Sequence, residues 1–158
     1  MKKSIFLLAL TSLFVLPSTL FAQYTFPLAE FIKMTGQNAS DFETTMLEKD
    51  YSLQTKLSSA VNKIYTSDKK GAEGKQYTIT RKQVPGASVA LTFTTTDKKH
   101  YLDTKAKLAS SGYKFVKEEN KPINNVPATW FLYTNGAYKV SICSYTTDVK
   151  WFVVEAHL

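Results

Sequence analysis

The sequence predicts an α+β fold: two repeats of a helix followed by antiparallel strands, with the helices packed on one face of an extended antiparallel sheet. Three observations lead to it. Residues 97–113, DKKHYLDTKAKLASSGY, read as a helix closed by a Gly-Tyr stop. Shifting them back by 62 positions lays Tyr113 on Tyr51, Leu108 on Met46 and Asp103 on Asp41. Each copy then runs into strand-like sequence, YSLQTK after the first and YKFVKE after the second. At the same offset SVALTFTT (88–95) falls on KWFVVEAH (150–157). The repeats cover about 23–95 and 96–158, which together form a single α+β domain.

Residues 1–22 are expected to be a signal peptide. Met1-Lys2-Lys3 is a short basic start, and residues 5–16 run without charge, proline or glycine. Pro17 breaks the run, and small residues lead to Ala22 as the expected cleavage point. A spanning helix needs roughly 20 apolar residues, so a retained anchor is the poorer reading of this stretch. The expected location is therefore periplasmic or secreted, with no integral membrane segment after cleavage. Residues 23–158 are enough for one domain with its own core.

Each element follows from its local pattern. Residues 25–35 place Leu28, Phe31, Ile32 and Thr35 at helical spacing, with Pro27 in the first turn. Gly36-Gln37-Asn38 ends that helix, and Ser40 with Glu43 reads as the capping box of the next. Asn38-Ala39-Ser40 also matches a glycosylation sequon, which helix capping explains without a sugar. Phe42, Met46 and Leu47 form the second helix's buried stripe. Residues 51–56 alternate as a strand, while 57–66 fit either a strand or a helical turn. The loop SDKKGAEGK (67–75) contains Gly-Lys but lacks the spacing and the following Ser or Thr of a phosphate loop. Residues 77–82 and 88–95 are strands joined through Val84-Pro85-Gly86-Ala87. The organising helix starts from a Thr96 or Asp97 cap and stops at Gly112. A strand over 113–117, a polar loop over 118–125, and a hairpin of 129–133 with 138–145 follow. Asn135-Gly136 is its expected two-residue turn.

That turn sets an expected register: Tyr133 opposite Tyr138, Phe131 opposite Val140 and Thr129 opposite Ile142. A next turn at Thr147-Asp148 would bring Ile142 opposite Val153 and Cys143 opposite Phe152. One face then carries Phe131, Tyr133, Tyr138, Val140, Ile142, Trp151 and Val153. The other carries Trp130, Leu132, Cys143, Tyr145, Phe152 and Val154. Helices cover one face of a two-layer α/β protein, and the second face here is too apolar for an ordinary solvated surface. Either it folds against something within the chain or something binds there.

Composition narrows the function classes. The formal net charge of +7 falls to +5 once Lys2 and Lys3 are removed, and the lysines are scattered rather than gathered on one face. No nucleic-acid interface is expected from that pattern. Cys143 is the single cysteine, so the chain has no internal disulfide, and its position in VSICSY makes it a small apolar sheet residue. His100 and His157 have no metal-ligand partner at fixed spacing. No catalytic motif, cofactor fingerprint or paired buried acids are recognisable, and Glu155 reads as a strand-end charge reaching solvent. The positive signal is aromatic: nine tyrosines and ten phenylalanines, densest toward the C-terminal sheet once the signal peptide is set aside.

Tryptophan and tyrosine dominate interface hot spots because they bury much area at little rotamer cost. Trp130, Leu132, Tyr145 and Phe152 are the candidate binding residues, with core packing as the competing explanation. The tandem arrangement over 41–158 resembles that of β-lactamase inhibitor proteins and PepSY-like periplasmic domains. The resemblance is one of topology: the paired cysteines of those inhibitors are missing, and no binding residue carries over. The phrases FAQ, LEKDYSL and SSGYKF are similar to those of uncharacterised secreted proteins of Bacteroidetes-type bacteria. What the resemblance implies is a broad sheet whose aromatic face grips a partner protein. The expected function is an exported non-enzymatic protein-binding module, inhibitor- or immunity-like. The alternatives are a carrier of a small apolar ligand such as a lipid, and an enzyme with an unrecognised site. No catalytic residue, metal or cofactor is expected under the first reading.

Overall fold

A computed structural model describes residues 24–71, 74–145 and 152–157. The expected signal peptide, the Thr147-Asp148 turn and Trp151 lie outside the described residues. Within them the chain forms three helices, α1 (Leu28–Met34), α2 (Ala39–Glu48) and α3 (Lys98–Ser110). The strands are β1 (Tyr51–Leu53), β2 (Asn62–Ser67), β3 (Thr78–Lys82), β4 (Ala90–Thr95), β5 (Lys114–Asn120), β6 (Ala128–Thr134), β7 (Lys139–Tyr145) and β8 (Phe152–His157). They make one eight-stranded antiparallel sheet in the order β1-β2-β3-β4-β8-β7-β6-β5. The class is α+β, as the alternation of helical and strand periods predicts. No helix among the described residues is long and apolar enough to cross a membrane.

The helices begin where their caps allow. Pro27 is extended (φ −56°, ψ 145°), so α1 starts at Leu28 rather than at residue 25, and the Pro27 carbonyl accepts from Phe31 N–H at 2.9 Å. Asn38, not Ser40, caps α2: its Oδ1 accepts from Asp41 N–H at 2.9 Å while its Nδ2 donates to Asp41 Oδ2 at 2.8 Å. Ser40 already lies inside the helix, where its carbonyl accepts from the Thr44 hydroxyl at 3.1 Å. Asn38→Ala is expected to cost about 1 kcal/mol, read as a lower midpoint in urea unfolding. Asp97 caps α3, accepting from Lys99 N–H at 2.8 Å and His100 N–H at 3.1 Å. At its far end Gly112 (φ +79°) reverses the chain so that Tyr113 N–H reaches the Leu108 carbonyl at 3.2 Å.

The main core joins side chains of all three helices to alternate residues of the strands. Phe31 and Met34 of α1, Phe42 and Met46 of α2, and Tyr101 and Leu108 of α3 meet Tyr65, Ile79, Leu91, Phe93, Val140, Ile142, Val154 and Ala156. Phe93 sits among rings, with Phe26, Tyr77 and His100 edge-on at centroid separations of 5.8, 5.9 and 5.2 Å. Leu47, placed in the buried stripe by its spacing, is instead exposed. Arg81 is buried beneath α2: its guanidinium lies 5.6 Å from the Phe42 ring, and it donates to the Gln37 carbonyl (3.1 Å) and Gln83 Oε1 (2.6 Å). The bond to Gln37 holds the α1–α2 turn to the sheet, and burial lowers the arginine's pKa.

Register corrects the hairpin expectation in two ways. Residues 135–138 all belong to the β6–β7 turn, so Tyr133 pairs with Val140 and Phe131 with Ile142. The turn is widened by its own side chains. Asn135 Oδ1 accepts from Ala137 and Tyr138 N–H (3.1 and 2.8 Å), and Thr134 Oγ1 accepts from Gly136 N–H at 3.1 Å. A two-residue slip leaves every β6 and β7 side chain on its expected face. Between β7 and β8 the slip is one residue, pairing Cys143 with Val153 and Ile142 with Val154. An odd slip exchanges the faces of a strand. Val154 therefore enters the main core and Val153 the opposite face.

Candidate aromatic sheet face

The side of the sheet turned away from the main core differs between its two halves. On β2, β3 and β4 it presents Thr66, Thr78, Thr80, Thr92 and Thr94 together with Ile64, Lys82 and Ala90, with Thr78 opposite Thr94 and Thr80 opposite Thr92. Threonine suits a pleated surface that meets water. On β6, β7 and β8 the same side carries Trp130, Leu132, Cys143, Tyr145 and Val153, with Ser141 and Glu155 among them. There Ala128, Cys143 and Val153 form a second buried cluster, overlaid by half-buried Ile123, Trp130 and Tyr145.

The β5–β6 connection shapes this region. Ile123 and Val126 form a short antiparallel bridge, and the Trp130 indole N–H donates to the Lys121 carbonyl at 3.1 Å. That bond satisfies the indole's one polar atom, leaving ring surface for apolar contact. In β5 the pairing shifts between Phe115 and Lys117, which sets Lys117 opposite Leu132 and Glu119 opposite Trp130. Lys117 and Glu119 form an ion pair. These side chains, with Trp130, Leu132, Ser141 and Glu155, surround a depression of about 190 Å³. Drug-sized ligand sites span about 300–1,000 Å³, so this one accommodates a single side chain or ring.

Three of the four candidate binding residues share this face, Trp130 lying between Leu132 at the depression and Tyr145 over the buried cluster. Trp130, Leu132 and Tyr145 are each half-buried on this face. Phe152 does not join them: it stacks on Tyr101 of α3 at 4.7 Å between ring centroids, inclined by 25°. The one-residue slip at β8 is the cause. Sequence reasoning missed Lys117, Glu119 and Ile123 at this face, because only the bulge in β5 and the fold-back of residues 121–127 bring them there. The adjacency of Phe115 and Val116, which breaks alternation in β5, is the one visible hint.

The titratable groups nearby are ill suited to nucleophilic chemistry. Cys143 is fully buried, and burial pushes its thiol up to about 12, so it stays protonated at neutral pH. Burial likewise raises the Tyr145 phenol. Glu155 is half-buried on the face rather than free at a strand end, with its Oε2 3.6 Å from His157 Nε2. Among the described residues no three His, Cys, Asp or Glu side chains converge as a metal site would require.

His100 lies on the other side of the sheet, its ring edge-on to Phe93. Burial depresses its pKa, opposed by the nearby charges of Asp97 and Asp103 and reinforced by Lys99. The unfolded chain therefore takes up the proton more readily than the folded one. His100's contribution to stability is full above its unfolded pKa, about 6.5, and is lost as pH falls through the lower folded value. A His100→Gln variant is expected to show a shallower decline of urea midpoint between neutral and mildly acidic pH than the parent.

Compared with protein-family profiles, curated proteins and solved structures, the chain matches none.

Proposed function

We propose that the chain is an exported, non-enzymatic module that binds another protein through Trp130, Leu132 and Tyr145. The observation that carries this reading is the contrast within one sheet face: five threonines with Ile64 as the one large apolar residue over β2–β4, but Trp130, Leu132, Tyr145 and Val153 gathered over β6–β8 beside Ser141 and Glu155. A face that merely meets water has no need of the second composition. Half-buried rings set above a packed cluster are pre-organised anchors, losing little freedom when a partner covers them. The depression between Trp130 and Leu132 has room for one partner side chain, and its rim offers both signs of charge for orientation.

The architecture behind this proposal is a tandem repeat with its helices on one side. Several features support it. The bounds of β4 and β8 differ by 62, the offset read from the sequence, and the two strands pair at the middle of the sheet. Strand order runs outward as β4-β3-β2-β1 on one side and β8-β7-β6-β5 on the other. Tyr51 and Tyr113 are both buried just after a helix end. This arrangement suits the inhibitor-like or immunity-like role that the topological resemblance implies.

Native mass spectrometry of the protein taken from its host's envelope fraction tests the proposal. A stoichiometric protein complex that re-forms from purified components, and fails to form with Leu132→Lys, is the expected result. A small molecule retained in place of protein, or a complex indifferent to Leu132→Lys, would count against it.

A further inference from the structure

We infer a second binding site, for a small organic carboxylate with an aliphatic tail, in the cleft between the start of α1 and α3. The cleft has a volume of about 480 Å³, within the range of ligand sites. Its α3 wall presents His100, Asp103, Thr104, Lys107 and Ser111, residues that share one helical face. Pro27, Leu28 and Ala29 supply the apolar opposing wall.

The charges select the ligand. Asp103 is paired with Lys99 one turn earlier. Lys107 forms no ion pair among the described residues, so its ammonium is the unpaired charge in the cleft lining. Around it are the hydroxyls of Thr25, Thr104 and Ser111, all able to donate. His100 stays neutral at neutral pH because of its burial and so brings an N–H donor without a second fixed charge. One cation, several neutral donors and an apolar wall suit a carboxylate head with a hydrocarbon tail. An amine would have to compete with Lys99 for Asp103 and would face the Lys107 ammonium. The site lies across the sheet from Trp130 and Leu132, so it stands or falls separately from the protein-binding face.

An NMR titration with hexanoate, followed at the His100 ring resonances, tests the assignment. Saturable shifts are expected, with hexylamine producing none and acetate binding at least ten-fold more weakly than hexanoate. Lys107→Ala should weaken hexanoate at least ten-fold while the backbone spectrum stays folded, and Leu132→Lys should leave it unchanged. No saturable shift, equal binding of hexylamine, acetate as tight as hexanoate, or an unaltered Lys107→Ala variant would each overturn it.

Discussion

Phe93→Ala is expected to lower stability by about 3–5 kcal/mol, the range for truncating a fully buried aromatic. Phe93 is 1% exposed. It touches rings from the segment before α1 (Phe26), from α1 (Phe31), from the residue before β3 (Tyr77) and from α3 (His100). The cavity left behind would be bounded by several elements at once, which limits how far any one can relax into it. Thr94, its neighbour in β4, lies on the opposite face. Thr94→Ala is expected to change stability by no more than about 0.5 kcal/mol. Urea unfolding of both variants, with linear extrapolation, separates the two faces of the sheet. Equal costs would contradict the assignment of the core to the Phe93 side.

Trp130→Ala is expected to weaken partner binding by about 30-fold or more, the loss of some 2 kcal/mol that marks an interface hot spot. Some stability falls with it, because Trp130 also covers Ala128, Cys143 and Val153. Leu132→Lys removes that ambiguity, since Leu132 belongs to neither buried cluster. It should weaken binding comparably while leaving the unfolding midpoint near that of the parent. Phe152→Ala should do the reverse, lowering stability through the lost stack on Tyr101 while leaving affinity unchanged. Binding of the purified partner to each variant, set beside its urea midpoint, distinguishes the two kinds of residue.

Much of the fold was legible because strong local signals coincide. Asp97 and Gly112 mark the ends of α3 by capping and by left-handed backbone, both properties of a single residue. The period-two runs of β3, β4, β6 and β7 place Ile79, Phe93 and Ile142 on the core side without knowledge of their partners. Pairing between strands was harder. The face of β8 depends on one residue of register across a turn, and the alternation of Phe152, Val153 and Val154 is apolar in either phase. The Asn135-Gly136 turn misled by two residues because Thr134 and Asn135 bond to the loop backbone. Trp130, Leu132 and Tyr145 could be grouped from alternation and the expected hairpin, because a two-residue slip at the turn preserves the faces. The bulge of β5 and the fold-back of residues 121–127 arise from tertiary packing that no period encodes. The cleft beside His100 is likewise invisible in sequence, since it depends on how α1 lies against α3.

The most direct measurement is hydroxyl-radical footprinting of the protein alone and bound to its partner. Protection concentrated on Trp130, Leu132 and Tyr145, with Tyr101 and Phe152 unchanged, is the predicted pattern. Protection confined to the helices or to the β1 edge, with Trp130 reacting equally in both states, would contradict the aromatic sheet face as the binding surface.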